Sequence, residues 1–214
     1  MISCKRLWWL SLGLVVGSCA GEATEAPEAA QTPEPAVVSA PALAPAEAAR
    51  HKAAVTHFLQ WYQQHLPELD KTWSAAVSKQ GRGDTAHYVV NFIQAEQYLE
   101  RLRQSGVFSK QFVEDQRQQF RRTNEAFRST RQAYGTPVGY DYGWILYTPR
   151  PAEVLSAALR GAKLEALAAD KPVTGQVLVH LPTAGELRME LVDEAGTLKI
   201  EGVYPNGIEA DLGQ

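Results

Sequence analysis

Two carboxylates in this sequence occupy places where acid chemistry would make sense. Glu96 falls between Phe92 and Leu99 on the apolar stripe of an amphipathic segment, and a carboxylate there must be paired or protonated because burial penalises its charge. It serves either as an acid in a pocket or as an edge residue paired with an arginine of the next helix, and the pairing is the expectation. Asp141 stands among Tyr140, Tyr142 and Trp144. Aromatic walls around one acid suit cation binding or a raised pKa for proton transfer. The same acid can equally cap a strand end, which is the expected role. His57 and His65 flank Trp61 on one helix, but a spacing of eight residues is too long for one metal ion. His180 alternates outward from Val177, Val179 and Leu181, which reads as a strand residue facing solvent. No phosphate loop, His-Cys cluster or nucleophile elbow is spelled out, so neither metal nor cofactor is expected. Arg82-Gly83-Asp84 spells an integrin-binding tripeptide, yet its residues are ordinary turn formers and a turn is the expectation.

The remaining candidate is a thiol. Lys5 and Arg6 precede an apolar run from Leu7 to Val16, then Gly17, Ser18 and Cys19. A run of about ten residues fits an export signal and falls short of the roughly 20 needed for a membrane-spanning helix. Val16-Gly17-Ser18-Cys19 resembles the lipobox of bacterial lipoproteins. The resemblance implies that Cys19 receives a diacylglycerol, becomes the new N-terminus after cleavage, and anchors the chain in the cell envelope, at an outer membrane facing the periplasm or the surface. The chemistry suits the residue, since a thiolate is a strong nucleophile for a thioether bond and several acyl chains anchor firmly. Cys4 lies in the segment to be discarded, so the mature chain keeps no cysteine able to form a disulfide.

The chain carries a net charge of −3 with Lys5 and Arg6 included, and losing that pair makes the rest more acidic, which argues against nucleic acid as a partner. Arg117, Arg121, Arg122, Arg128 and Arg131 are interleaved with Glu114, Asp115 and Glu125, a pattern of a solvated helix face. From residue 20 to 46 the sequence is dominated by Ala, Pro and Glu without any aromatic residue. It cannot build a core, and with polyproline geometry of about 3.1 Å per residue it can act as a tether. Glu22, Glu25 and Glu28 also fit an acidic signal for surface display, by resemblance to some bacterial groups. The expected organisation is a signal at residues 1–18, a spacer at 19–46, and one domain at 47–214.

Within that domain, Val55, Phe58, Leu59, Tyr62 and Leu66 recur at helical steps over residues 48–66, and Pro67 is expected to close that helix. Asp84 or Thr85 can cap a second helix running to about Gln104 with Val89, Phe92, Ile93, Leu99 and Leu102 inward. Ser109 can cap a third, over 110–133, whose stripe is Phe112, Val113, Phe120, Phe127 and Tyr134. Tyr140–Tyr147 reads as a strand, Pro151 opens a short helix, and Lys163–Ala169 fits either its continuation or a strand. Residues 176–181, 186–193 and 197–204 alternate apolar and polar side chains as an antiparallel meander. Helices followed by an antiparallel sheet make an α+β domain, with the N-terminal helices packed on a curved sheet.

That order is similar to the cone-shaped folds of the nuclear transport factor 2-like superfamily. More narrowly, Leu102-Arg-Gln-Ser-Gly-Val-Phe-Ser109, Phe112, Phe120, Gly139-Tyr140-Asp141 and Gly196-Thr-Leu-Lys-Ile-Glu-Gly-Val203 resemble a family of bacterial envelope lipoproteins of unknown function related to that superfamily. Members carry a second acid two positions after the first and a Gln-acid pair at the strand's end. Here Gly143 and Pro149-Arg150 stand in those places, which leaves a shared polar site unsupported. A cone can enclose a pocket, and Glu96, Asp141, Tyr142 and Trp144 are the residues that would line one. The expected function is a lipid-anchored binding or interaction module whose partner is the membrane together with an envelope protein or a small ligand. A small pocket enzyme or carrier using Asp141 and Glu96, and an inhibitor of an envelope enzyme, are the alternatives.

Overall fold

The computed structural model describes residues 43–140, 142–170, 173–182 and 185–206; Cys19, the spacer as far as residue 42, and Asp141 lie outside these. The first helix, α1 (Pro45–Ala75), opens two residues inside the expected spacer with proline in its first turn, where a missing N–H breaks no bond. It does not stop at Pro67, contrary to the expectation. Proline inside a helix costs about 3 kcal/mol, but Leu66 and Leu69 on either side of it are buried, and each such side chain contributes roughly 2 kcal/mol. Gln63, whose carbonyl loses its helical donor, is exposed, so water can satisfy it.

A hairpin replaces the start expected for the second helix. Strands β1 (Val77–Gln80) and β2 (His87–Val90) pair antiparallel, Val77 opposite Val90 and Gln80 opposite His87. Their connection holds a 3₁₀ turn at Gly83–Thr85. Gly81 (φ +87) is required there, since a Cβ would lie 2.4 Å from the Thr85 carbonyl oxygen. Asp84 and Thr85 therefore cap no α-helix; the Thr85 hydroxyl donates to the Arg82 carbonyl at 2.8 Å. The cap of α2 (Phe92–Gln104) is Asn91, whose Oδ1 accepts from the backbone N–H of Ile93 at 3.2 Å and of Gln94 at 3.3 Å. That start sets the inward face as Ala95, Tyr98, Leu99 and Leu102, and it leaves Phe92 44 % and Ile93 73 % exposed, opposite to their expected direction.

Gly106, at φ +66, turns the chain after α2, and the Ser109 hydroxyl accepts from the Phe112 N–H at 2.9 Å to cap α3 (Lys110–Thr130). Between them Val107–Ser109 runs beside the last strand. The Ile200 N–H donates to the Val107 carbonyl at 2.9 Å and the Ser109 N–H to the Ile200 carbonyl at 3.0 Å. Phe108 is thereby set among Phe58, Trp61 and Phe112, with ring centroids 5.6, 5.5 and 4.5 Å away. Helix α3 ends at Thr130 because Arg131 turns left-handed (φ 49), so Tyr134 leaves the stripe and is exposed.

The described residues of 140–147 do not form the expected strand. Residues 144–147 form turns beside an isolated bridge from Gly143 to Thr148, and the aromatic side chains pack in three dimensions. Helix α4 (Pro151–Gly161) starts at proline, and residues 163–167 resolve as strand β3 (Lys163–Leu167). With β4 (Gly175–His180), β5 (Glu186–Glu194) and β6 (Thr197–Asn206) it forms an antiparallel sheet in the order β3-β4-β5-β6. Val177, Val179, Leu187, Met189 and Leu191 point inward and are fully buried. The register slips at Glu190/Leu191, leaving Glu201 as the extra residue of a bulge on β6. Among the described residues the fold is thus α+β, four helices and a four-stranded antiparallel sheet that stays open, with β3 and β6 at its edges.

Helix α1 packs across β3, β4 and β6. At its N-terminal end His51 is 1 % exposed and lies against Gly175, where a Cβ would come within 2.5 Å of the imidazole. Ser39–Gln214 is one compact unit whose core draws on all four helices and on β4, β5 and β6, so it carries what a domain needs to fold on its own. Among the described residues, no helix is long and apolar enough to cross a membrane.

Phe108→Ala should lower unfolding free energy by about 3 to 5 kcal/mol, read from urea denaturation, and a loss below about 1 kcal/mol would show that the junction is dispensable. Burial holds the His51 imidazole below its ordinary pKa, Glu47 opposing and Arg50 adding to the effect. The neutral ring is favoured in the fold, so His51's contribution is intact above the unfolded value of 6.5 and is lost as pH falls from there through the lowered folded value. Denaturation midpoints measured across that window should drop more steeply for wild type than for His51→Leu.

Candidate functional site

Glu96 reaches from α2 to α3, where Arg117 grips both carboxylate oxygens, Nε donating to Oε1 at 2.8 Å and Nη2 to Oε2 at 3.0 Å. Arg117 also donates to Glu114 Oε2 at 2.5 Å. The hydrogen bonds from Arg117 hold the Glu96 carboxyl below its ordinary pKa; the charges of Arg117, Arg103 and Arg121 reinforce them and partial burial opposes them. An acid already ionised has no proton to give at neutral pH. Glu96 opens on a shallow surface with Ile93, Gln97, Glu100 and Arg101.

Trp144 is placed elsewhere. It is 3 % exposed, its indole N–H donates to the Gly139 carbonyl at 2.6 Å, and its ring meets Phe120, Tyr140 and Trp73 at 4.8, 5.0 and 5.8 Å. Tyr140 stacks on Trp73 at 4.4 Å, and burial raises its phenol pKa. Tyr142 is half-buried with its ring 6.2 Å from that of Tyr147. Trp144 and Tyr140 thus belong to the core, and Glu96 is on a separate surface. Asp141, between Tyr140 and Tyr142 in the chain, lies outside the described residues.

A recess that the sequence reading did not assemble lies between α1 and α2. It has a volume of about 270 Å³ and is lined by Trp61, His65 and Leu69 from one helix and Arg101, Gln104 and Ser105 from the end of the other. Trp61 and His65, one turn apart, stack at 4.9 Å with 20° between their planes. The His65 Nδ1–H donates to the Trp61 carbonyl at 2.8 Å, and since a carbonyl only accepts, Nε2 of the neutral ring carries the lone pair. Glu68 holds the Arg101 guanidinium at 2.8 Å. Together these offer a flat aromatic surface beside fixed donors and one imidazole acceptor. In the sequence Trp61 and His65 are one helical turn apart, and His65 enters there only with His57 as a metal pair that the spacing excludes; Arg101 joins Trp61 and His65 only through helix packing.

On the outer face of the sheet, His180 sits between Glu165 on β3 at 3.4 Å and Glu186 on β5 at 3.1 Å. Among the described residues, no group of three or more His, Cys, Asp or Glu is placed to hold a metal ion. Arg82-Gly83-Asp84 occupies the exposed hairpin turn.

The Glu96–Arg117 pair is about half exposed on its carboxylate side, so solvent screens it. Glu96→Gln should cost roughly 0.5 kcal/mol in thermal unfolding, and a cost several times larger would mean that the carboxylate carries more than a surface pairing. No family model matches the chain, and neither a curated protein nor a solved structure matches it.

Proposed function

We propose that this protein is a lipid-anchored binding module of the bacterial cell envelope, attached through Cys19 and presented on the spacer that follows. The observation that carries this reading is the run from Lys5 and Arg6 through Leu7–Val16 to Gly17-Ser18-Cys19, which combines an export signal with a cysteine placed for lipidation. The non-enzymatic part is supported by Glu96, whose carboxylate is committed to Arg117. The ligand-facing part of the reading is the α1–α2 recess. Its stacked Trp61 and His65 suit a flat apolar group, and its Arg101 and Gln104 suit a polar acceptor beside it.

We infer also that the domain is a relative of the nuclear transport factor 2-like cones. Helices that precede an antiparallel meander support this, as does the bulge at Glu201, because a bulge bends its strand and curls the sheet.

Labelling of cells with an alkynyl fatty acid tests the anchor. Wild type should take the label and partition into membranes, while Cys19→Ala should do neither. Equal labelling of the two would overturn the reading.

A further inference from the structure

The hairpin end of the domain concentrates apolar side chains that the core does not use. Phe92 and Ile93, consecutive at the start of α2, are 44 % and 73 % exposed, and Tyr134 and Val138 nearby in the chain segment that borders β2 are 77 % and 62 % exposed. These positions are held in place. The Tyr88 N–H donates to the Gln132 carbonyl at 2.9 Å and its hydroxyl to the Gly135 carbonyl at 2.7 Å. The Gln132 side chain donates to the Thr136 carbonyl at 2.7 Å and accepts from the Val138 N–H at 2.9 Å.

Cations stand beside Phe92 and Tyr134, while Ile93, next to Phe92, opens on a surface lined by Glu96, Glu100 and Arg101. A groove of about 470 Å³ is lined by Lys79, His87 and Arg128 together with Phe92, Val89, Val90 and uncharged polar residues, and no carboxylate lines it. The Lys79 ammonium lies 5.0 Å from the Tyr88 ring centre and 5.7 Å from that of Tyr134, which keeps it at this surface. Among the described residues, neither Lys79 nor Arg128 is in an ion pair, whereas Glu96 and Glu100 beyond Ile93 are paired with Arg117 and Arg103. The acids closest in sequence are Asp84 in the hairpin turn and the exposed Glu125 one helical turn before Arg128, and neither is in an ion pair with Lys79 or Arg128. In a chain of net charge −3, this end is locally cationic and apolar at once.

We propose that this end docks on an anionic phospholipid surface, with Phe92, Ile93 and Tyr134 entering the headgroup region and Lys79 and Arg128 meeting the phosphates. Exposed apolar side chains ringed by Lys and Arg gain from acyl boundary and anionic headgroups together; a polyanion without an apolar phase would leave Ile93 in water. The place of the bilayer rests on the lipid-anchor reading, and the chain is long enough to permit the contact. Helix α1, with 31 residues, separates its start from the hairpin by about 46 Å. The residues between Cys19 and Pro45 can span up to about 80 Å when extended, so the domain can lie back onto the membrane that holds Cys19. Tethering then raises the effective concentration of the surface, and weak docking suffices.

Residues 39–214, which lack the anchor, are to be sedimented with vesicles of phosphatidylcholine alone and with an equal mixture of phosphatidylcholine and phosphatidylglycerol. Binding is expected on the mixture, weakly or not at all on phosphatidylcholine, and decreasing with salt. The Lys79→Gln/Arg128→Gln double variant should bind about thirtyfold more weakly and Ile93→Ser about tenfold more weakly, with unchanged circular dichroism because all three positions are at the surface. Absence of binding to either vesicle, equal binding to both, or wild-type binding by the double variant would overturn the proposal. Because this fragment has no Cys19, its result is independent of fatty-acid labelling, and either reading can fail alone.

Discussion

The backbone pairing of Val107–Ser109 with Ile200 is the constraint on which the rest of the architecture hangs. Gly106 ends one helix by turning left-handed, Ser109 starts the next by capping it, and only Val107 and Phe108 remain between them to lie beside β6. Two hydrogen bonds fix their position along that edge, which fixes Phe108 among the rings of α1 and α3. One side chain therefore registers two helices and a strand together. The Lys199 ammonium, which donates to the Gly106 carbonyl, supports the same corner from the strand side. Helix start and stop signals here do more than delimit helices, because they meter out the short extended segment that joins the two layers.

How far the sequence disclosed this fold depended on whether local periodicity and tertiary packing agreed. In β4–β6 they did. Leu187, Met189 and Leu191 alternate with polar neighbours, and each faces an inward partner on the adjacent strand, so a period of two was enough. Ser109 was legible as a cap because capping is a contact within four residues. The hairpin was not legible. Ser78, Lys79 and Gln80 show no apolar alternation, and β1 and β2 are stabilised by α3, through Tyr88 on Phe127 and the Val90 N–H on Asn124. Missing those strands moved the start of α2 forward and gave Phe92 and Ile93 the wrong direction. Pro67 misled in the opposite sense, since a local rule was outweighed by burial of Leu66 and Leu69. The aromatic run around Trp144 has strand-like composition, yet its rings are spent on a three-dimensional cluster with Trp73 and Phe120.

The candidate site divides along the same line. Glu96 could be recognised as a carboxylate in need of a partner, and an arginine of the next helix was the natural choice, because such a charge on a partly apolar stripe is stabilised only by pairing. The α1–α2 recess could not be composed in advance. Trp61 and His65 share a helix face by spacing alone, but the position of Arg101 beside them depends on the angle and offset between two helices, which no local pattern encodes.

Charge is distributed in a way that links these observations. Three basic residues of α2 and α3 are matched by acids on their own or a neighbouring helix: Arg101 by Glu68 of α1, Arg103 by Glu100, and Arg117 by Glu96 and Glu114. Such exposed pairs add little stability individually, but they cancel the local field and hold long side chains away from neighbours. At the hairpin end that matching stops, and the cations there instead lie over aromatic rings or along an acid-free groove. Phe92 shares that groove with Lys79 and Arg128, while Ile93 beside it opens toward Glu96 and Glu100, whose charges Arg117 and Arg103 offset. The docking of β1 and β2 onto α3 ahead of α2, through Tyr88 on Phe127 and Val90 on Asn124, sets Phe92 and Lys79 around one groove.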